Sequence, residues 1–172
     1  MKKCWILLLS LLLVGCSKQT ALETVNDEYV QPVSAPVWQI VADLPADAGV
    51  QVMESQDLAK LYLCDDYTVT VQTLSSGDLD RTLRSVTGYS REQLNPIRLQ
   101  QGELQRYECV FVSAGEGQTQ VGRTCILDDG NYHYVLTAMA GESQIEELTD
   151  TWKNLFDSFR LVDPDAELNT GS

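Results

Sequence analysis

Basic residues are scarce in this chain. Twelve Lys+Arg stand against 25 Asp+Glu, with one His, for a formal net charge of −13 over 172 residues. That balance excludes electrostatic binding to nucleic acid, because a phosphate backbone needs a basic footprint. No C-x-x-C spacing occurs, so neither a zinc knuckle nor a thioredoxin-type redox pair is encoded. No motif for a cofactor or a metal is read, and no internal repeat. A hydrophobic content of 44% rules out a wholly disordered chain. Long apolar runs are also missing. The one run present, Trp5 to Val14, is broken by Ser10. As a helix it reaches ~15 Å, about half of a ~30 Å hydrocarbon core, so it is too short to span.

What is there begins with that run. Met1-Lys2-Lys3 supplies a positive start, and the run then fits the apolar region of a signal peptide. It ends in Leu13-Val14-Gly15-Cys16, followed by Ser17. This motif resembles the lipobox of bacterial lipoproteins. The resemblance implies cleavage between Gly15 and Cys16, a thioether-linked diacylglycerol on Cys16, and an extracytoplasmic address. Two acyl chains hold a protein at a bilayer far more firmly than one, since each buried CH₂ contributes ~0.8 kcal/mol. Losing Lys2 and Lys3 leaves 10 bases against 25 acids, a net of −15, so the lipid rather than the protein surface would hold the chain on an anionic membrane. Ser17 after the lipidated Cys permits outer-membrane sorting where the cell has two membranes. A single-membrane cell would keep the protein on its outer surface.

Four stretches follow from this reading. Residues 1–15 are the signal, and 16–36 the lipidated Cys with a polar tether carrying Pro32 and Pro36. Residues 37–162 are expected to form one domain, and 163–172 an acidic, frayed tail. Within the domain, Trp38–Ala42 and Val50–Met53 read as short strands. Lys60–Cys64 and Tyr67–Thr73 read as a hairpin around Asp65-Asp66. Ser76-Gly-Asp-Leu-Asp80 opens a helix with Leu79, Leu83 and Val86 on one face and Gly88 at its end. Ser90-Arg-Glu-Gln93 is a capping box closed by Asn95-Pro96.

Arg106–Val112 and Val121–Leu127 are strands joined by the polar segment Ser113–Gln120. A hairpin centred on Gly117 sets Cys109 opposite Cys125, with Cβ atoms ~4.5–5.5 Å apart and a disulfide within small adjustment. Export favours that bond. Two reduced, buried thiols remain the other reading, since a slip of one residue puts them on opposite faces. Cys64 is left over in either case. Asp129-Gly130 reads as a two-residue turn into a third strand, Tyr132–Met139, apolar on both faces and therefore covered on both sides. The turn sets His133 opposite Ile126 with Val135 and Thr137 beside it, a structural histidine rather than a base. Ser143-Gln-Ile-Glu146 caps a final helix whose Ile145, Leu148, Trp152, Leu155, Phe156 and Phe159 make one apolar stripe.

The fold class expected is therefore α+β: one domain with an antiparallel sheet flanked by helices and a long amphipathic helix at the C-terminal end. Gly130–Thr137 followed by Trp152–Leu161 is similar to the PsbP-like superfamily. That resemblance implies a curved antiparallel sheet between helical layers, used mainly for protein contacts, and carries over no site residue. The functional expectation is a non-catalytic, lipid-anchored interaction module of the cell envelope. Its partners would be the membrane, through the anchor, and a protein in the envelope. It predicts an exposed apolar or aromatic patch next to the sheet edge or Arg81 and Arg84. An envelope hydrolase acting on glycans through paired carboxylates is the rival, and requires carboxyl groups with raised pKa values. A purely structural envelope protein is the third reading.

Overall fold

The computed structural model describes residues 38–45, 48–52, 59–115 and 117–163. The expectations for the signal, for Gly15 and Cys16, and for the tether lie outside these residues, as does the tail beyond Asp163.

Among the described residues the elements follow in the order β1 (Gln39–Val41), β2 (Gly49–Val52), β3 (Ala59–Leu63), β4 (Tyr67–Ser75), α1 (Leu79–Thr87), α2 (Arg91–Leu94), β5 (Ile97–Gln101), β6 (Leu104–Gly115), β7 (Gln118–Asp128), β8 (Tyr132–Gly141), α3 (Ile145–Ser158) and β9 (Arg160–Val162). Seven strands form one antiparallel sheet in the order β2-β3-β4-β8-β7-β6-β5, and β1 pairs with β9 in a separate ribbon. This is the α+β architecture that the sequence predicts. The last helix is followed by a strand, however, so the helix does not end the fold.

Strand β8 sits mid-sheet and is buried along almost its whole length, with apolar residues on both faces as expected. Period-two alternation sorts its side chains. Tyr132, Tyr134, Leu136, Ala138 and Ala140 face α3, where Leu148, Trp152, Leu155, Phe156 and Phe159 meet them. Val135 and the neighbouring Ile126 face α1, whose Leu79 and Leu83 cover them. Each large side chain removed from water here contributes ~1.5–3 kcal/mol, so the α3 stripe is the main anchor of that layer.

Local signals set the helix ends. Asp78 caps α1, its carboxylate accepting from the Asp80 amide at 3.0 Å. Gly88 ends it with φ +82°, a conformation that favours glycine. Ser90 and Gln93 make the reciprocal capping box predicted for α2. The start of α3 differs. A 3₁₀ turn, Glu142–Gln144, precedes it, and the Gln144 side chain reaches back to accept from the Gly141 amide at 3.2 Å. The Ser143 box is not used.

Two hairpins depart from the expected register. Gly115 pairs with Gln118, so β6 and β7 join through two residues with Gly117 at φ +86°, rather than pivoting on Gly117. Strand β5 is an addition, in a stretch to which the sequence assigns no element. Its five pairs with β6 close through Gly102 at φ +62°.

Candidate docking face at the β5–β6 edge

The even-numbered residues of β6 share a face with the odd-numbered residues of β5 and β7. Ile97 lies opposite Glu108, Leu99 opposite Arg106, Val110 opposite Arg123 and Val112 opposite Val121. Helix α3 covers the centre of this face but not its margin. Ile97 is 63% exposed, Leu99 48%, Val110 61% and Val112 52%. Four large aliphatic side chains on one face beside the edge strand are a contiguous patch, unlike the single exposed residues that any surface carries. A notch of about 450 Å³ opens beside it, lined by Leu94, Asn95, Ile97, Cys109, Val110 and the Glu108–Arg123 pair.

The floor of the patch is held by a network of hydrogen bonds and ion pairs. Arg106 is buried and donates from Nε to Glu108 Oε1 at 2.7 Å, from Nη1 to Gln101 Oε1 at 2.8 Å and from Nη2 to the Phe156 carbonyl at 2.8 Å. It thus satisfies a carbonyl at the C-terminal end of α3, where a cation also suits the helix dipole. Arg123 donates to Glu108 Oε2 at 2.8 Å and lies 4.3 Å over the Phe156 ring. Burial pushes the Glu108 carboxyl up, but the hydrogen bonds from Arg123 and Arg106 outweigh it and hold it below the ordinary carboxylate range. At the free edge of β6 the Tyr89 hydroxyl donates to the Val112 carbonyl at 2.5 Å, and its ring packs against Phe111.

The sequence-predicted residues fall elsewhere. Cys109 and Cys125 are corrected from candidate disulfide to separated thiols. Cys109 pairs with Thr124 and Cys125 with Glu108, so the two point to opposite faces, Cys109 toward α1 and Cys125 toward α3. Burial, aided by the Glu108 charge, raises the Cys109 thiol to about 11, and burial raises Cys125 to about 12. Neither is a nucleophile at neutral pH. Arg81 and Arg84 are exposed on α1, with Arg84 paired to Asp80 at 2.7 Å, and the apolar patch lies at the sheet edge instead. The strand carrying Ile97 and Leu99 was missed. Its alternation, Ile97-Arg98-Leu99-Gln100, before a Gly turn was the available signal.

His133 pairs with Asp128, not Ile126, because the tight turn is Gly130-Asn131. The shift is by an even number, so His133 keeps the expected face and is fully buried. Its Nδ1 lies 2.7 Å from the Thr82 hydroxyl. Asp128 Oδ2 is 3.6 Å from Nε2, beyond hydrogen-bond length. The arrangement has the members of a catalytic triad, but hydroxyl and ring are both sealed under α1, so no substrate reaches them. Asp80, Glu108 and Asp157 all have carboxyl groups shifted downward, by Arg84, by Arg123 with Arg106, and by Lys153. A general acid needs the opposite shift. Among the described residues no cluster of His, Cys, Asp and Glu could hold a metal ion, and no helix is long and apolar enough to cross a membrane.

No family model matches the chain, and no curated protein compared with it matches. Solved structures do. LpqN of Mycobacterium tuberculosis, involved in cell envelope biogenesis, superposes with a TM-score of 0.50 at 13% identity, covering 73% of this chain and 84% of that one. The Ran-binding protein Mog1p of Saccharomyces cerevisiae gives 0.49 at 14% identity over 73% and 92%. The cyanobacterial PsbP of Synechocystis gives 0.41 at 10% identity over 73% and 93%. At 13% identity the likeness to LpqN is one of fold alone.

Proposed function

We propose that this chain is a lipid-anchored interaction module of a bacterial cell envelope. Cys16 carries the acyl chains. The domain does no bond chemistry and docks a protein partner through the Ile97, Leu99, Val110 and Val112 face. The observation that carries the reading is that face: an exposed aliphatic patch on a hydrogen-bonded floor beside a sheet edge. The lipobox resemblance supports the address, and the envelope role of LpqN, a fold neighbour, agrees with it. Anchoring raises local concentration in two dimensions, so a modest patch suffices for association.

The test places a photo-crosslinking phenylalanine analogue at Val110 or Val112 in the full-length protein in its own membranes, with Thr149 and Asp157 on exposed α3 as controls. Adducts specific to the β6 positions are expected. Equal or absent adducts at all four positions sink the docking face. Intact mass of the membrane-extracted protein tests the anchor separately. Acylation at Cys16 with loss of residues 1–15 is expected, and an unprocessed chain removes the envelope address.

A further inference from the structure

Strand β5 is the last strand of the sheet, and among the described residues its outer edge has few of the devices that natural edges use against pairing. Its five pairs with β6 run without a bulge. The face it shares with α3 carries the exposed Ile97 and Leu99 rather than a charge, and Arg98, the one charge on the strand, donates sideways to Gln105 Oε1 at 2.6 Å. Edges are ordinarily blunted by charges, bulges, prolines or a covering element. The neighbouring stretch of β6 is covered, because Tyr89 occupies the Val112 carbonyl. On β5, among the described residues, such devices are limited to Pro96, just outside the strand, and the side-bonded Arg98.

The direction of the β5 backbone follows from the same hydrogen bond. The Val112 carbonyl turns away from β7. Alternation along an unbulged antiparallel strand then turns Leu104, Arg106 and Glu108 toward β5, where they meet Gln101, Leu99 and Ile97. Arg98 and Gln100 therefore present their N–H and C=O groups outward.

We propose, resting on the docking face above, that its partner is a second copy of this chain, joined β5 to β5 about a two-fold axis through Leu99, so that two seven-stranded sheets become one. Arg98 of each copy exchanges both backbone hydrogen bonds with Gln100 of the other. Leu99 meets Leu99 at a non-hydrogen-bonded position, where Cα atoms lie ~4.5 Å apart. Ile97 and Leu99 of both copies then form one apolar line, continuous with Val110 and Val112 on each side. The pairing is self-complementary, as a two-fold interface must be. No charge faces its like, since Arg98 stands against Gln100.

Electrostatics favours this edge over the rest of the surface. In a chain of net charge −13, Arg98, Arg106 and Arg123 gather here against Glu103 and Glu108. Two copies joined here therefore meet through an edge less acidic than the chain as a whole.

The test is Leu99→Cys in the full-length protein, oxidised mildly in its own membranes. A disulfide-linked dimer is expected, absent from the unsubstituted protein and from Thr149→Cys. Adding Arg98→Pro removes one outward N–H of the edge and leaves the β5–β6 bonds intact, so the crosslink should be lost. Sedimentation of the detergent-extracted protein should fall from twofold to single mass with Arg98→Pro. No more dimer from Leu99→Cys than from Thr149→Cys, or a crosslink that survives Arg98→Pro, overturns the pairing. If Val110 then photo-crosslinks to a different protein, the docking face stands and the second copy is discarded. If it crosslinks to nothing, both fall.

Discussion

The Thr82 hydroxyl lies 2.7 Å from Nδ1 of His133, and this one hydrogen bond joins the middle of α1 to the central strand β8 with both groups out of water. Burial holds the imidazole below its ordinary pKa of 6.5, against the opposing pull of Asp128. His133 is therefore neutral in the folded protein, and the unfolded chain takes up the proton first. Its contribution to stability is complete above about pH 6.5 and is lost progressively as pH falls from there toward the depressed folded value. Asp80, Glu108 and Asp157 are held below the usual carboxylate range, so their losses begin at more acidic pH. Urea denaturation should show stability declining between pH 7 and pH 5. His133→Asn should cost ~1–3 kcal/mol at neutral pH but flatten that interval. A wild-type profile already flat from pH 7 to pH 5 refutes the assignment.

Arg106 makes the second prediction. It ties Glu108 to the end of α3, and removing it leaves a half-buried carboxylate with one partner and the Phe156 carbonyl with none from this side chain. Arg106→Met should therefore cost ~3–5 kcal/mol, the range for breaking a buried ion pair from one side. Glu108→Gln, combined with Arg106→Met, should recover part of that loss because the stranded charge is gone. Additive single effects in a double-mutant cycle would show that the three side chains do not act as a network.

Cys109 and Cys125 should remain thiols. Their side chains leave opposite faces of the sheet, and with their pKa values pushed to about 11 and 12 neither ionises near neutrality. Peptide mapping without reduction should recover no Cys109–Cys125 bridge. Alkylation under native conditions should spare both, and unfolding in urea should expose them. A recovered bridge would mean that the β6–β7 register is shifted by one residue.

That register marks where the sequence stops being legible. Turn residues announce a hairpin but not its parity. Asp65-Asp66 is read correctly because β-branched strands flank it tightly, and Cys64 and Tyr67 close it at 3.0 Å. Between Ser113 and Gln120 several polar and glycine positions compete, and a difference of one residue reverses every face. Between Asp128 and Tyr132 the error is harmless. The Asp129 carboxylate accepts from the Asn131 and Tyr132 amides and moves the turn on by one position, which preserves the faces. The helices are better specified, because Asp78, Gly88 and Ser90 with Gln93 act through local backbone geometry. The docking face was legible only as an expectation of a patch. Exposure of Ile97 and Val110 depends on where α3 ends over the sheet, and no local pattern encodes that.

Phe111 and Gly122 supply the last prediction. They stand opposite one another on β6 and β7, and a Cβ on Gly122 would overlap the Phe111 ring. Glycine is required here by closeness rather than by an unusual φ. Gly122→Ala should cost ~1–3 kcal/mol through overpacking, since the buried ring has Tyr89 on its other side. Phe111→Leu clears the space, so the double variant should be less destabilised than the sum of the singles, by ~0.5–3 kcal/mol of coupling. A ring displaced by Gly122→Ala also pushes Tyr89 away from the Val112 carbonyl and uncovers the edge of β6. Hydrogen exchange at the β6 amides near Val112 should therefore quicken in Gly122→Ala and return toward wild type in the double variant. Equal protection in all four proteins would show that Tyr89 holds the edge independently of the ring beneath it.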